Sequence, residues 1–318
     1  MSHGVPLGAS ARVESPGAQT ERSGGLGQNK GGDFLPPVTR SDSSPSAAGG
    51  LRTGRLAMAG VVAELLPRDR AILDLVGEFR LATGAQIQQL LFPPAEFATP
   101  ATAARSGRRV LARLVRDRLL VRLERRVGGI RAGSAGHTYA LGPVGYRVIG
   151  AQGRARPRPF QPSALFAEHQ LAVTQLAVEL MLTEHRGEIR KLNVEGEPRC
   201  WRFLPGQRAR AGLLRPDLFV SLEVGEDELR WFVEVDRGTA HLPAVLRKCR
   251  SYESHYRSGH EQAEHGLFPK VLWITPTDER AARIENAIDG QRELTTGLFA
   301  ATTAGRALEM LCGAEDIR

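Results

Sequence analysis

Between Pro67 and Phe79 the apolar residues Ile72, Leu73, Leu75, Val76 and Phe79 recur close to one face of a 3.6-residue period. That spacing predicts an amphipathic helix opened by Pro67-Arg68-Asp69. Thr83 and Gln86 stand at capping-box spacing and predict a second, short helix carrying Ile87, Leu90 and Leu91, which Pro93-Pro94 ends. A third helix is predicted over about Ala101–Arg118, with Val110, Leu111, Leu114 and Val115 turned inward. The period then changes to two. Leu119, Val121 and Leu123 alternate along a strand, Leu119–Arg126, and the glycine-rich stretch Val127–Gly136 separates it from a returning strand, His137–Leu141. Gly142-Pro143 closes the hairpin, and Val144–Ile149 begins another short helix.

Further along, Leu165, Phe166, Leu171, Val173, Leu176, Leu180 and Met181 predict a long helix, about Ser163–His185, apolar around much of its circumference. Strands follow at Ile189–Val194, Leu218–Glu223 and Leu229–Val235, then a helix at about Leu242–Tyr256, the apolar strand Lys270–Thr275, a helix at about Glu279–Ala287 and a short strand near Leu298–Ala301. Strands separated by helices predict an α/β sheet. The stretch from Gln152 to Pro162, rich in proline and arginine, marks a boundary. The predicted organisation is a disordered tail over 1–60, a first domain over 61–150, a linker over 151–162, an α/β domain over 163–311 and a tail over 312–318. The tail assignment rests on Gly, Ser, Pro and Ala with few periodic apolar residues, which bury too little surface to offset chain entropy.

Charge gives the first segment a role. The chain carries a formal net charge of +8, and residues 61–150 hold 14 Lys and Arg against 7 Asp and Glu, so the excess is concentrated there. Helix, helix, helix and glycine-tipped hairpin with that charge read as a winged helix-turn-helix that binds double-stranded DNA. Arg105, Arg108, Arg109, Arg113 and Arg116 on the third helix and Arg126 and Arg131 on the hairpin are the candidate contacts. A helix in the major groove needs donors for guanine edges and phosphates, and the guanidinium fork serves both. A solvated basic face is the bland reading of the same residues.

The second segment carries a carboxylate constellation. Pro216-Asp217 stands at the start of one strand, and Glu234 and Asp236 stand two apart on the next, so both point to one face. Carboxylates gathered at a strand end repel one another unless a cation joins them, and hard Mg²⁺ or Mn²⁺ takes oxygen ligands. In this the sequence resembles the PD-(D/E)xK nuclease superfamily, with a restriction-endonuclease-like α-β-β-β-α-β order after Ser163. The resemblance implies Asp217 and Glu234 as metal-binding acids, with Glu168 on the first helix as an added ligand. It departs where the superfamily has lysine: Asp236 stands there, and Lys248 on the following helix is a migrated substitute, Arg247 a weaker one. The alternative is an inactive scaffold in which Asp217 and Glu234 pair with arginines such as Arg215 and Arg237. Taken over about 65–305, the run Val-Glu-Val-Asp-Arg-Gly-Thr ending at Thr239, Leu-Arg-Lys-Cys-Arg-Ser-Tyr ending at Tyr252 and Val-Leu-Trp-Ile-Thr ending at Thr275 resembles the replication-relaxation family of actinobacterial plasmids and integrative elements. That resemblance implies action on plasmid DNA in replication, relaxation or mobilisation, with other plasmid replication or transfer proteins as partners. The rival class is a non-enzymatic transcriptional or replication regulator with an inactive nuclease-like domain.

Other features exclude more than they add. Three cysteines without a CxxC pair support neither a zinc ribbon nor a disulfide framework. The absence of a long apolar run argues against a membrane span, and together with the cysteines predicts a cytoplasmic protein. No phosphate-binding glycine loop is present, so no nucleotide or organic cofactor is expected. His255, His260 and His265 recur every five residues and read as a solvated loop. His169 reads as a core or edge histidine near enough to approach the acids, and Tyr252 and Tyr256 as packing residues. Paired half-sites, which many such DNA-reading modules use, allow a homodimer.

Overall fold

The computed structural model describes residue 60 and residues 62–123, 136–149, 162–203 and 213–313. The chain over 1–59, the hairpin tip with Arg126 and Arg131, the stretch 151–161 and residues 314–318 lie outside the described residues. What is described is a mixed α/β structure of helices and sheets.

In the first segment α1 (Pro67–Phe79), α2 (Gly84–Leu91) and α3 (Pro100–Arg116) surround a core of Ile72, Leu73, Val76, Ile87, Leu111 and Leu114. The capping box at Thr83 forms: its hydroxyl accepts from the Gln86 N–H at 3.1 Å and the Gln86 side chain accepts from the Thr83 N–H at 2.8 Å. The third helix starts a residue earlier than its apolar pattern indicates, because Thr99 caps it and Pro100 fills the first position, where no N–H is needed. A two-residue strand, β1 (Ala82–Thr83), escaped the sequence pattern. It pairs with β3 (Thr138–Leu141), which pairs with β2 (Leu120–Leu123), in an antiparallel sheet of order β1-β3-β2. Helix α4 (Pro143–Ile149) turns directly off β3. A Cβ on Gly145 would lie 2.1 Å from the Leu119 carbonyl oxygen, so only glycine permits that approach.

In the second segment α5 (Ala164–His185) leads to β4 (Lys191–Gly196), a two-stranded ribbon of β5 (Arg202–Phe203) and β6 (Leu213–Leu214), β7 (Leu218–Val224) and β8 (Asp227–Val235). Next come α6 (Leu242–Ser258), α7 (His260–His265), β9 (Lys270–Thr275), α8 (Asp278–Asp289), β10 (Phe299–Thr303) and α9 (Ala307–Leu311). The five-stranded sheet runs β10-β9-β8-β7-β4, antiparallel from β4 to β8 and parallel from β8 to β10. The crossovers that parallel pairing demands are α6 and α8. Alternation divides the sheet: Val220, Trp231, Val233 and Leu272 pack with α5, and Phe232, Val271 and Trp273 pack with α6 and α8. The stretch holding His260 and His265, expected as loop, forms α7 between two left-handed glycines, Gly259 and Gly266.

One apolar cluster runs through both segments, joining α1 and α2 to α5 and the sheet. Polar ties reinforce it. Gln86 donates to the Leu171 carbonyl at 2.9 Å, the Thr174 hydroxyl donates to the Leu81 carbonyl at 2.8 Å, and Glu78 accepts from the Gly196 N–H at 2.8 Å.

One arginine of the basic helix has a structural duty. Asp69, 1 % exposed, accepts from Arg113 Nη2 at 2.6 Å and from the Leu66 N–H at 3.1 Å. Arg113→Ala leaves that buried carboxylate without its cation and is expected to cost about 2 kcal/mol, below the usual range for a broken buried pair because Arg113 is itself partly exposed. Arg105→Ala, at an exposed position, should stay within about 0.5 kcal/mol. Urea unfolding midpoints of the two variants measure the difference, and equal midpoints would refute the structural duty.

Candidate functional site

The site lies where β7 begins and β8 ends. The register that pairs Leu218 with Val233 sets Asp217 beside Glu234. The Asp217 N–H donates to the Val233 carbonyl at 3.1 Å, and its carboxylate Oδ2 accepts from the Val235 N–H at 2.7 Å. Glu234 alternates with Val233 and so faces α6, where it is 2 % exposed. Lys248 and Tyr252, four apart on one face of α6, meet it there. Lys248 Nζ donates to Glu234 Oε2, and the Tyr252 hydroxyl donates to Oε1 at 2.5 Å. His169, in the second turn of α5, sets Nε2 at 3.2 Å from Asp217 Oδ1.

Burial and charge compete at each group. Burial pushes the Glu234 carboxyl up to about 7, with Lys248 drawing it down and Asp217 pushing it further up. Burial also works on Asp217, but the hydrogen bond from His169, the Lys248 charge and the Val235 N–H together hold its carboxyl below the usual range. Lys248 is buried against its own charge, yet Glu234 and Asp217 raise its pKa. The hydrogen bond to Asp217 is the main cause that raises His169 against the effect of burial. Burial raises the Tyr252 hydroxyl far above its ordinary value, so it remains a proton donor to Glu234.

Asp236 does not join this group. Arg280, in the first turn of α8, donates to its Oδ2 at 2.6 Å, and the Gly238 N–H donates to its Oδ1 at 3.0 Å. Arg280 also donates to the Ala240 carbonyl at 2.5 Å. The residue at the expected lysine position is buried, lines the same groove and ties the loop 236–240 through Arg280 and the Gly238 N–H. Lys248 supplies the cation from α6. The arginine pairing considered for an inactive scaffold is absent among the described residues: Asp217 and Glu234 take His169 and Lys248, not Arg215 or Arg237.

These side chains line a groove with a cavity of about 490 Å³, bordered by Leu165, Phe166 and Glu168 of α5 and by Arg237 and Thr239 of the loop. Asp217 and Glu234 offer carboxylate oxygens of the kind a hard divalent cation takes. Glu168 stands exposed on the groove wall. Among the described residues no three His, Cys, Asp or Glu side chains stand close enough together to hold a metal ion, so the three-ligand set expected from sequence is not assembled. The histidines at 260 and 265 lie near Glu261 and Glu264 at 3.5–3.9 Å, apart from this groove.

On α3 the candidate contacts divide. Arg105, Arg108 and Arg109 are exposed on one stripe, Arg116 is exposed but paired with Asp117 at 2.9 Å, and Arg113 is turned to Asp69. Arg126 and Arg131 are outside the described residues. Two residues that hydrogen-bond the groove's carboxylates from behind its lining have roles the sequence pattern does not show. Tyr252 read as packing, although its spacing from Lys248 was a usable signal. Arg280 has no local signal at all, since only the β9–α8 turn brings it to Asp236.

The His169–Asp217 contact makes a titration prediction. A histidine with a raised pKa adds stability that is complete below its ordinary value of about 6.5 and is lost as pH rises through the folded value. In Asp217→Asn the His169 pKa should fall, because its main raising partner is removed, and its ring proton shifts read this by NMR. The variant's stability deficit should be larger at pH 6 than at pH 9. An unchanged His169 titration would remove the contact.

Among the described residues no helix is long and apolar enough to cross a membrane. No curated protein and no solved structure matches the chain. The family profile described as replication-relaxation matches residues 73–271, from α1 to the start of β9 and across Asp217, Glu234 and Lys248. That match spans more than half of the sequence, and the chain belongs to the replication-relaxation family.

Proposed function

We propose that this protein acts on plasmid or mobile-element DNA during replication or relaxation, holding duplex DNA through its first segment and cutting a strand at the groove of its second. The first segment is read as a winged helix-turn-helix with α3 as the recognition helix. Arg105, Arg108 and Arg109 recur on its exposed stripe, free of carboxylate partners among the described residues. The second segment is read as a PD-(D/E)xK nuclease-like domain. The observation that carries this reading is the meeting of Asp217, Glu234 and Lys248 at adjoining strand ends, with Lys248 arriving from α6 instead of from β8.

In this reading Asp217 and Glu234 would hold Mg²⁺ or Mn²⁺, with Glu168 turning in from the wall. Such an ion lowers the pKa of bound water and neutralises charge on a phosphate oxygen. The chain's own groups have separate duties. Lys248 keeps a half-buried positive charge where charge develops on phosphate. Tyr252 fixes the rotamer of Glu234, and His169 fixes that of Asp217. Asp236 and Arg280 hold the loop that forms one wall.

A second reading is favoured by the self-neutralised state of the cluster and by the missing third ligand. There the groove is an inactive scaffold and the protein is a regulator that only binds DNA. Supercoiled plasmid incubated with Mg²⁺ or Mn²⁺ separates the two. The nuclease reading expects open-circular product from wild type and a loss of about 10²-fold or more in Asp217→Ala, Glu234→Ala and Lys248→Ala. Intact plasmid with every metal, alongside retained duplex binding, selects the regulator. The joint change of Arg105, Arg108 and Arg109 to Ala should weaken duplex binding and flatten its salt dependence by about 2–3 in log–log slope. Unchanged duplex affinity in low salt would discard α3 as the DNA-reading element.

A further inference from the structure

The groove above Asp217 and Glu234 has two walls of different chemistry. On one side the first turn of α5 presents Leu165, 68 % exposed, with Phe166 half-buried behind it. A leucine this exposed is unremarkable alone on a surface, but this one stands at the mouth of a concave site. On the other side the loop 236–240 presents Arg237, exposed and lining the same groove. That loop is held in place through Asp236 and Ala240 by Arg280. Lys248 and Arg280 are each paired with a carboxylate, whereas Arg237 has no carboxylate partner among the described residues. Glu168 is the exposed carboxylate of the opposite wall.

Intact duplex offers a surface mainly its phosphates and groove edges, because its base faces are stacked within. An unpaired strand offers phosphates and free apolar base faces together, and proteins that bind single strands match them with cationic side chains beside apolar or aromatic ones. We propose that the groove takes an unpaired DNA strand, with a phosphodiester on Arg237 and a base face against Leu165 and Phe166. The substrate of the groove is then single-stranded or locally opened DNA, while α3 engages duplex. This assignment rests on the reading of the protein as one that handles DNA. A cavity of about 490 Å³ lies within the ordinary range of small-ligand sites, about 300–1,000 Å³, and so has room for an unpaired nucleotide.

The test uses the full chain with Arg105, Arg108 and Arg109 changed to Ala, in low salt with Ca²⁺ in place of Mg²⁺. Fluorescence anisotropy of a labelled oligothymidylate reads the binding. This background should bind the oligonucleotide, and an unlabelled blunt duplex should compete at least tenfold less well than unlabelled single strand. Adding Leu165→Ala or Arg237→Ala should each weaken binding about fivefold or more. Arg237→Ala should also reduce the salt slope by about 0.7, the value for one phosphate contact on a single strand, whereas Arg237→Lys should retain that slope. Duplex binding by Leu165→Ala in the otherwise unaltered protein should match wild type, which certifies its fold. Equal oligonucleotide affinity with and without Leu165 and Arg237, or equal competition by duplex, overturns the proposal. If wild type binds duplex but no single strand, this inference alone fails; if it binds neither, the DNA-handling reading fails with it.

Discussion

A carboxylate shut away from water needs partners, and the burial of Glu234 at the end of β8 sets the terms for everything around it. Its 2 % exposure raises the cost of its negative charge, and the neighbouring charge of Asp217 raises it again. Lys248 and Tyr252 offset that cost from one face of α6. The helix must therefore cross the sheet where those two residues reach the strand end. Asp217 can stand beside Glu234 because His169 and the Val235 N–H take up its own oxygens. Removing one member leaves another buried charge unanswered, which is more costly than the loss of an exposed ion pair. The α5, β7, β8 and α6 elements are thus tied together by charge as well as by apolar contact.

The same tie extends to the first segment through packing. Helix α5 carries His169 near one end; along its length the Leu171 carbonyl accepts from Gln86 of α2 and the Thr174 hydroxyl donates to the Leu81 carbonyl. Gln88 of α2 in turn donates to the Ala104 carbonyl of α3 at 3.1 Å. The exposed arginine stripe of α3 and the acidic groove consequently stand on one continuous packed scaffold. A protein built this way presents its basic face and its groove at a set separation, which suits a DNA-handling role in which binding positions a strand.

Much of this is legible in the sequence. The helices α1, α2, α5 and α6 follow from apolar periodicity and from the Thr83–Gln86 cap, and β7, β8 and β9 from their apolar runs. Asp217 and Glu234 stand out from motif spacing, and the resemblance singles out Lys248, which meets Glu234 from α6. What could not be read depends on distant contacts. Strand β1 has two residues and exists because β3 pairs with it. Arg113 looks like its neighbours on α3 until the fold brings Asp69 to it. Asp236 has the right spacing to face the acids, and only Arg280, 44 residues later, draws it into the loop. The five-residue spacing of His255, His260 and His265 fits no helical pair among them and reads as a loop, whereas His255 is buried on α6 and His260 and His265 each stand four residues from a glutamate on α7.

The proposed nuclease role requires Asp217 and Glu234 to bind a divalent cation together. Binding of Mn²⁺ followed by electron paramagnetic resonance tests it without requiring turnover or DNA. Wild type should take up one Mn²⁺ that Mg²⁺ displaces, and Asp217→Ala and Glu234→Ala should each abolish that uptake. Mn²⁺ binding to wild type no stronger than to either variant would rule that site out.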